Sequence, residues 1–360
     1  MGAGNAELRD ELRSAFDRVL QSGNYILSQE VDNFEDEFAS YCGVRYAIGV
    51  GNGLDALTIA LRAAGIGAGD EVIVPAHTFI ATWLSVVACG ATLVPVDVDP
   101  DRLLIDLAAA EAACSQRTAA IIPVHIYGQP VPPEPMERFG KRYGVAIIGD
   151  AAQAHGAAVG GKSVGALGLA AAFSFYPAKN LGALGDAGII TSSDLAFATR
   201  AKRLRNYGAR SKYDFLDQGV NSRLDPMQAA FLSVKLGALE RWNARRTAIA
   251  ERYLEELRGL PDLTLPCEPE ATEQHAWYSF CIRHPRRDDL KHFLETLGIE
   301  TQVYYPVPPH LSPAFKSLER GEGAYPVSES VARTALSLPI GPHLDDDSVT
   351  RIIEAVRQFR

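Results

Sequence analysis

Between residues 44 and 195 one pattern recurs: a short apolar run, a turn marked by glycine or proline, and a helical stretch before the next run. The runs are RYAIGV (45–50), DEVIVPA (70–76), ATLVPVDVD (91–99), TAAIIPVHIYG (118–128), GVAIIGD (144–150), AAAFSFY (170–176) and DAGIITSS (186–193). A strand that is apolar along nearly its whole length has no solvent face, so it must be covered on both sides. The intervening helices supply that cover, and the arrangement that satisfies both is an α/β fold with a mostly parallel sheet. In such sheets ligands lie beyond the carboxyl ends of the strands.

From about 195 to 258 the chain turns helical. In DPMQAAFLSVKLGALERWNARRTAIAERYLEELRGL, Met227, Phe231, Val234 and Ala238 recur at four- and three-residue spacing, and Leu232, Leu236 and Leu239 widen the same face into a core or subunit contact. Asp225 fits an N-cap and Pro226 the first helical position. Short strands and helices then return (WYSFCIR, DDLKHFLETLG, DSVTRIIEAVRQF). At 360 residues the chain exceeds the roughly 250–300 residues that one core usually fills. It is read as a large domain, 1–240, and a smaller α+β domain, 241–360.

Charge and cysteines narrow the function. A net charge of −9 without a block of like charge argues against binding nucleic acid. The five cysteines are widely spaced and form no C-x-x-C pair, so neither a disulfide framework nor a metal site is expected, and a reducing cytoplasm fits. No apolar run approaches the ~18 residues needed to span a membrane.

Four features sit at predicted strand ends. GVGNGLDALTIALRAAG (49–65) runs from strand through a glycine turn into a helix, which is either a plain tight turn or a phosphate site on free helix N–H groups. The dinucleotide fingerprint is not met, because Leu54 stands where its third glycine belongs. Asp150 closes GVAIIGD: a helix N-cap, or a buried carboxylate that needs a cation. Lys179, in FSFYPAKNLGALGD, follows Ser174 and Tyr176 and precedes Gly182 and Gly185; it is either a surface charge or a part-buried amine able to attack an aldehyde. In HTFIATW, Phe79 and Trp83 are four apart, a core pair or a ring plate for a flat ligand. A phosphate cup, an acid, an amine and an aromatic plate are together the parts that hold pyridoxal 5'-phosphate (PLP).

The segments GNYILSQEVDNFEDEFA, GVGNGLDAL, VPAHTFIATW, PVHIYGQP, DAAQAHGA, FSFYPAKNLGALGDAG, LRNYGARSKYDF, GVNSRLDPMQAA, YYPVPPHLSPAF and LSLPIGPHL run in order over nearly the whole chain. In them the sequence resembles the DegT/DnrJ/EryC1/StrS sugar aminotransferases. The forms GNGLDAL, TFIATW and FYPAKNLGALGD resemble the branch that aminates C3 of dTDP-3-keto-6-deoxyhexoses. The resemblance implies the aspartate aminotransferase fold (fold type I), PLP as cofactor, an amino donor that is expected to be glutamate, and a homodimer with shared sites. It makes Lys179 the lysine that joins the cofactor's aldehyde and Asp150 the partner of its ring nitrogen. Gln153 would meet the ring hydroxyl and Phe79 the ring face. Ser174 and the amides of Gly53 and Leu54 would hold the phosphate, joined by Asn221 from the neighbouring subunit.

For the sugar nucleotide, Tyr176, Tyr304 and Tyr305 are candidates for the hydroxyls and Tyr25 for the base. Lys212 and Tyr213 are candidates for the diphosphate, or are an exposed charge and a rim aromatic. The sequence departs from the family's usual pattern at Gly149 (often Glu), Ala178 and Ala187 (often Gly), Leu54 (often Thr) and Tyr304 (often His). Relatives that remove a sugar hydroxyl carry His at the lysine position, and Lys179 argues against that chemistry. Amination at C4, as in perosamine-type synthases, and a PLP-binding regulatory protein without turnover stand as the competing readings.

Overall fold

The computed structural model describes residues 2–359. All seven apolar runs form strands of one sheet: β1 (Tyr46–Val50), β2 (Glu71–Pro75), β3 (Thr92–Val96), β4 (Thr118–Ile121), β5 (Ala146–Asp150), β6 (Ala170–Ser174) and β7 (Gly188–Ser192). Their order across the sheet is β1-β7-β6-β5-β4-β2-β3. Pairing is parallel from β6 through β5, β4 and β2 to β3, while β7 is antiparallel to both of its neighbours. The exception has a local cause. Parallel neighbours need a crossover, usually a helix, but the chain returns from β6 to β7 through residues 175–187, which hold no helix. That reversal carries Lys179 at the edge of the sheet where β1, β2, β4, β5 and β6 end.

Both faces are covered, as continuous apolar strands require. Ile48, Val50, Ala170, Ala172 and Ile190 pack into one core with the helix Gly53–Ala63. The alternate residues Ala47, Ala171, Phe173 and Ile189 enter a second core with the helix Gln29–Cys42. The helix Arg9–Ser22 lays Leu12, Ala15 and Val19 on Ala230 and Phe231, and Met227 and Val234 also pack there. This accounts for much of the apolar face read from the sequence.

The long helix Pro226–Glu256 crosses residue 240 without a break, so the boundary expected there lies inside one element. Leu232 and Leu239 pack in the second sheet core, whereas Ile249, Ala250, Tyr253 and Leu254 join the C-terminal core. That core also contains the antiparallel pair Phe280–Arg283 and Ala335–Leu338 and the helices Arg287–Thr296 and Asp346–Gln358. Asp225 does occupy the N-cap of the long helix, with Pro226 following, but its side chain makes no capping hydrogen bond. Asp97, just beyond β3, accepts from the amides of Val327 and Ser328 at 2.8 and 3.0 Å and so ties the sheet to the helix Pro326–Thr334. Among the described residues no helix is long and apolar enough to cross a membrane.

Candidate active site

Asp150 is the last residue of β5 and is buried. Burial pushes its carboxyl up, against the Thr82 hydroxyl, the Ala152 amide and the charge of Lys179, all of which favour the ionised form. Thr82 donates to Oδ2 at 2.7 Å and Ala152 to Oδ1 at 3.2 Å. Lys179 lies on the reversal between β6 and β7. Burial brings its amine down to about 8, opposed by the attraction of Asp150, and Nζ stands 4.4 Å from the centre of the Tyr278 ring. A lysine near 8 is in part a free base at neutral to mildly alkaline pH, the form that attacks an aldehyde.

Gln153 is locked by two bonds. Its Oε1 accepts from the Tyr127 amide at 2.6 Å, and its Nε2 donates to the Tyr305 hydroxyl at 2.8 Å. Tyr305 therefore keeps its own O–H to give, and Gln153 keeps a second amide hydrogen. The Phe79 and Tyr305 rings lie 5.4 Å apart, and Phe79 is 54% exposed. The pair read from HTFIATW thus divides: Trp83 is core, bonded through Nε1 to the Pro75 carbonyl at 2.9 Å, while Phe79 presents its ring at the site. Behind them Tyr127 donates to the Tyr304 carbonyl at 2.6 Å, so its oxygen must accept from His77 Nε2, 2.8 Å away.

The glycine turn builds the second part of the site. The helix Gly53–Ala63 opens with Asn52 as N-cap, its side chain accepting from the Asp55 amide. The amides of Gly53 and Leu54 have no partner among the described residues. A Cβ on Gly53 would sit 2.6 Å from Ser174 Cβ, so only glycine lets this terminus close on the end of β6. Ser174 Oγ accepts from the Tyr176 amide at 3.3 Å, which leaves its hydrogen available. Two free amides and a hydroxyl at a helix N-terminus make an anion cup.

The two parts fit PLP by donor chemistry. The cup offers only donors to a phosphate, Asp150 offers a buried carboxylate to a protonated ring nitrogen, and Lys179 offers an amine to an aldehyde. The chain matches the DegT/DnrJ/EryC1/StrS aminotransferase family over residues 6–357. It belongs to that family. The aminotransferase is 50% identical over 353 residues, 98% of its own length and 93% of the relative's, to a dTDP-3-amino-3,4,6-trideoxy-alpha-D-glucose transaminase of Streptomyces venezuelae. It is 47% identical over 355 residues to a dTDP-3-amino-3,6-dideoxy-alpha-D-galactopyranose transaminase of Aneurinibacillus thermoaerophilus, covering 99% of this chain and 97% of that one. Its fold superposes on that of S. venezuelae DesV in complex with a ketimine intermediate with a TM-score of 0.97, at 49% identity, covering 99% of this chain and 96% of that one. The α/β class and the aminotransferase fold expected from the sequence both hold.

Of the other expected site residues of the aminotransferase, Tyr176, Tyr304 and Asn221 border this cluster, whereas Tyr25, Lys212 and Tyr213 make no contact with it. Tyr176 is 54% exposed at the rim. Tyr25 is exposed and donates to the Leu20 carbonyl within its own segment. Lys212 and Tyr213 lie at the turn of a small hairpin, Ala209–Ser211 with Asp214–Phe215, the tyrosine fully outward and its ring 5.3 Å from Lys212 Nζ. Tyr304 is half-buried and stacks on Tyr278. Asn221 is exposed. The next residue, Ser222, accepts from the Gly51 amide at 3.0 Å and donates to Asp55 at 2.6 Å, so Asn221 neighbours the cup turn of its own chain. Sequence reasoning did not single out Thr82, Tyr127 or Tyr278. All three lie in quoted segments, Thr82 in HTFIATW, Tyr127 in PVHIYGQP and Tyr278 in WYSFCIR, but only Thr82 is tied to the site locally, one helical turn after Phe79; what the two tyrosines meet lies far away in sequence.

Proposed function

We propose that this aminotransferase moves an amino group from glutamate to C3 of a dTDP-linked 3-keto-6-deoxyhexose, using PLP and working as a cytoplasmic homodimer. The observation that carries the reading is the placement of Lys179 and Asp150 together at the carboxyl edge of the sheet, beside an anion cup. The substrate part draws its support from the two relatives whose names specify dTDP-3-amino sugars.

When bound, PLP supplies an aldehyde that condenses with amines and a ring that accepts electrons from an adjoining carbon. Gly53, Leu54 and Ser174 would hold its phosphate, Asp150 its protonated ring nitrogen, Gln153 its ring hydroxyl and Phe79 its face. Lys179 Nζ, neutral in part near pH 8, takes the proton from the donor's α-carbon and returns one to the sugar carbon in the second half of the exchange. Thr82 and Ala152 fix the Asp150 carboxylate so that it need not reorganise. Tyr305, holding a free O–H, and Tyr176 at the rim would meet sugar hydroxyls. Lys212 and Tyr213 would reach the diphosphate, Tyr25 the base, and Asn221 the phosphate of the partner subunit's cofactor.

The test is to incubate the protein with PLP, glutamate and a panel of 3-keto and 4-keto nucleotide sugars and identify the amine by mass and NMR. Amination at C4 alone rejects the regiochemistry, and a glutamate half-reaction that does not proceed leaves the regulatory reading. Borohydride reduction of the PLP-loaded protein should place the label on residue 179, and Lys179→Ala should abolish turnover.

A further inference from the structure

A cleft of about 1000 Å³ opens between the Lys179 reversal, the long helix and the loop from Pro339 to Leu344. Of the strand-end cluster its wall holds Lys179, and none of Phe79, Asp150, Gln153, Ser174 or Tyr305. Two buried cations of the long helix line it: Lys235, 5% exposed, and Arg246, 8% exposed.

Neither cation has a carboxylate partner among the described residues. Lys235 Nζ donates only to the Gly182 carbonyl, at 2.7 Å, leaving two of its three hydrogens unused. Arg246 Nη1 donates to the carbonyls of Trp277 and Ile340, both at 3.1 Å, and its Nε–H is buried with no partner. Elsewhere in the same protein a buried arginine does find a carboxylate: Arg205 pairs with Glu35. Two uncompensated buried charges are costly, because each has given up water without gaining a counter-ion. Arg351 adds a further cation to the wall, and Glu300, exposed, is the carboxylate there. The balance of the lining is positive, and the unused hydrogens are donors.

We propose that this cleft binds a small molecule bearing a carboxylate or phosphate head group, with Lys235 as the group that holds the head. The volume lies at the upper end of the range of small-molecule pockets and admits a body behind the anion. Charge-assisted bonds to a carboxylate or phosphate would satisfy the two free hydrogens of Lys235.

The experiment titrates the full-length, PLP-saturated protein by calorimetry with succinate and, separately, inorganic phosphate, at constant ionic strength in chloride. PLP fills the cup, so phosphate cannot report from there. Saturable binding is expected for at least one probe, weakened about tenfold or more in Lys235→Met and Lys235→Gln, as for loss of one charge-assisted bond, and retained in Lys235→Arg. Binding of succinate alone assigns a carboxylate head, and of phosphate alone a phosphate head. Absence of binding by both, or equal binding in wild type and in whichever of Lys235→Met and Lys235→Gln folds, overturns the proposal.

Discussion

The Thr82 hydroxyl donates to Asp150 Oδ2 across 2.7 Å, and both groups are buried. That bond favours the ionised carboxylate against burial, the larger influence, which drives the carboxyl toward the neutral acid. Thr82→Val preserves shape and removes the donor, so the Asp150 carboxyl should move further up and its hold on a protonated ring nitrogen weaken. Net loss of one such bond is worth about 1 kcal/mol, or roughly fivefold in PLP affinity. Absorbance titration with PLP checks this, with Thr82→Ser expected to bind as wild type. Unchanged affinity in the valine variant would remove Thr82 from the site.

Lys179 should show its environment in its reactivity. Trapping of PLP on the protein with cyanoborohydride should rise with pH around a midpoint near 8, well below the ~10.4 of an exposed lysine. Burial lowers the amine and Asp150 opposes that, so Asp150→Asn should shift the midpoint lower still. The stability effect follows the same sign. The folded pKa lies below the unfolded one, so the unfolded chain binds more protons between about 8 and 10.4 and this group's contribution to stability rises with pH across that window. A midpoint near that of free lysine would place Nζ in water.

Much of this was legible in the chain because each strand is buried on both faces and so reads as an unbroken apolar run. Asp150 and Lys179 could be found because Asp150 closes such a run and Lys179 lies three residues beyond one. What escaped depends on contacts between distant segments. Tyr127 reaches Gln153 from another strand end, and Tyr278 meets Lys179 from ninety-nine positions away in sequence. Periodicity likewise could not show that Phe79 points out while Trp83 points in. Lys235 sits between Val234 and Leu236, where its charge reads as an interruption of an apolar face rather than as the lining of a cleft.

Gly53 tests the cup. Alanine there brings Cβ to 2.6 Å from Ser174 Cβ, closer than real contacts allow, so the helix terminus or the end of β6 must move. Overpacking of this kind costs about 1–3 kcal/mol, and the displaced amides lose their aim at a phosphate. Gly53→Ala should weaken PLP binding more than it lowers the unfolding midpoint, whereas Ser174→Ala, which removes one hydroxyl and creates no clash, should weaken binding with little loss of stability. Normal PLP affinity in both would show that the phosphate lies elsewhere.

Glu35 supports the same turn from below. It is buried, accepts from the Gly49 amide at 2.8 Å and pairs with Arg205, whose Nη1 also donates to the Gly49 carbonyl at 2.7 Å. Lys202 Nζ approaches its other oxygen at 3.1 Å. Glu35→Gln keeps the shape but leaves the Arg205 guanidinium buried without its counter-charge, a change that typically costs about 3–5 kcal/mol. The urea midpoint should fall accordingly, and PLP affinity should fall with it because Gly49 leads directly into the cup. In the double variant Glu35→Gln, Arg205→Met no buried unpaired charge is left, Lys202 being half-exposed to water, so part of the stability should return. If instead the single variant unfolds at the wild-type midpoint, Arg205 must be solvated and the turn must be held by other bonds.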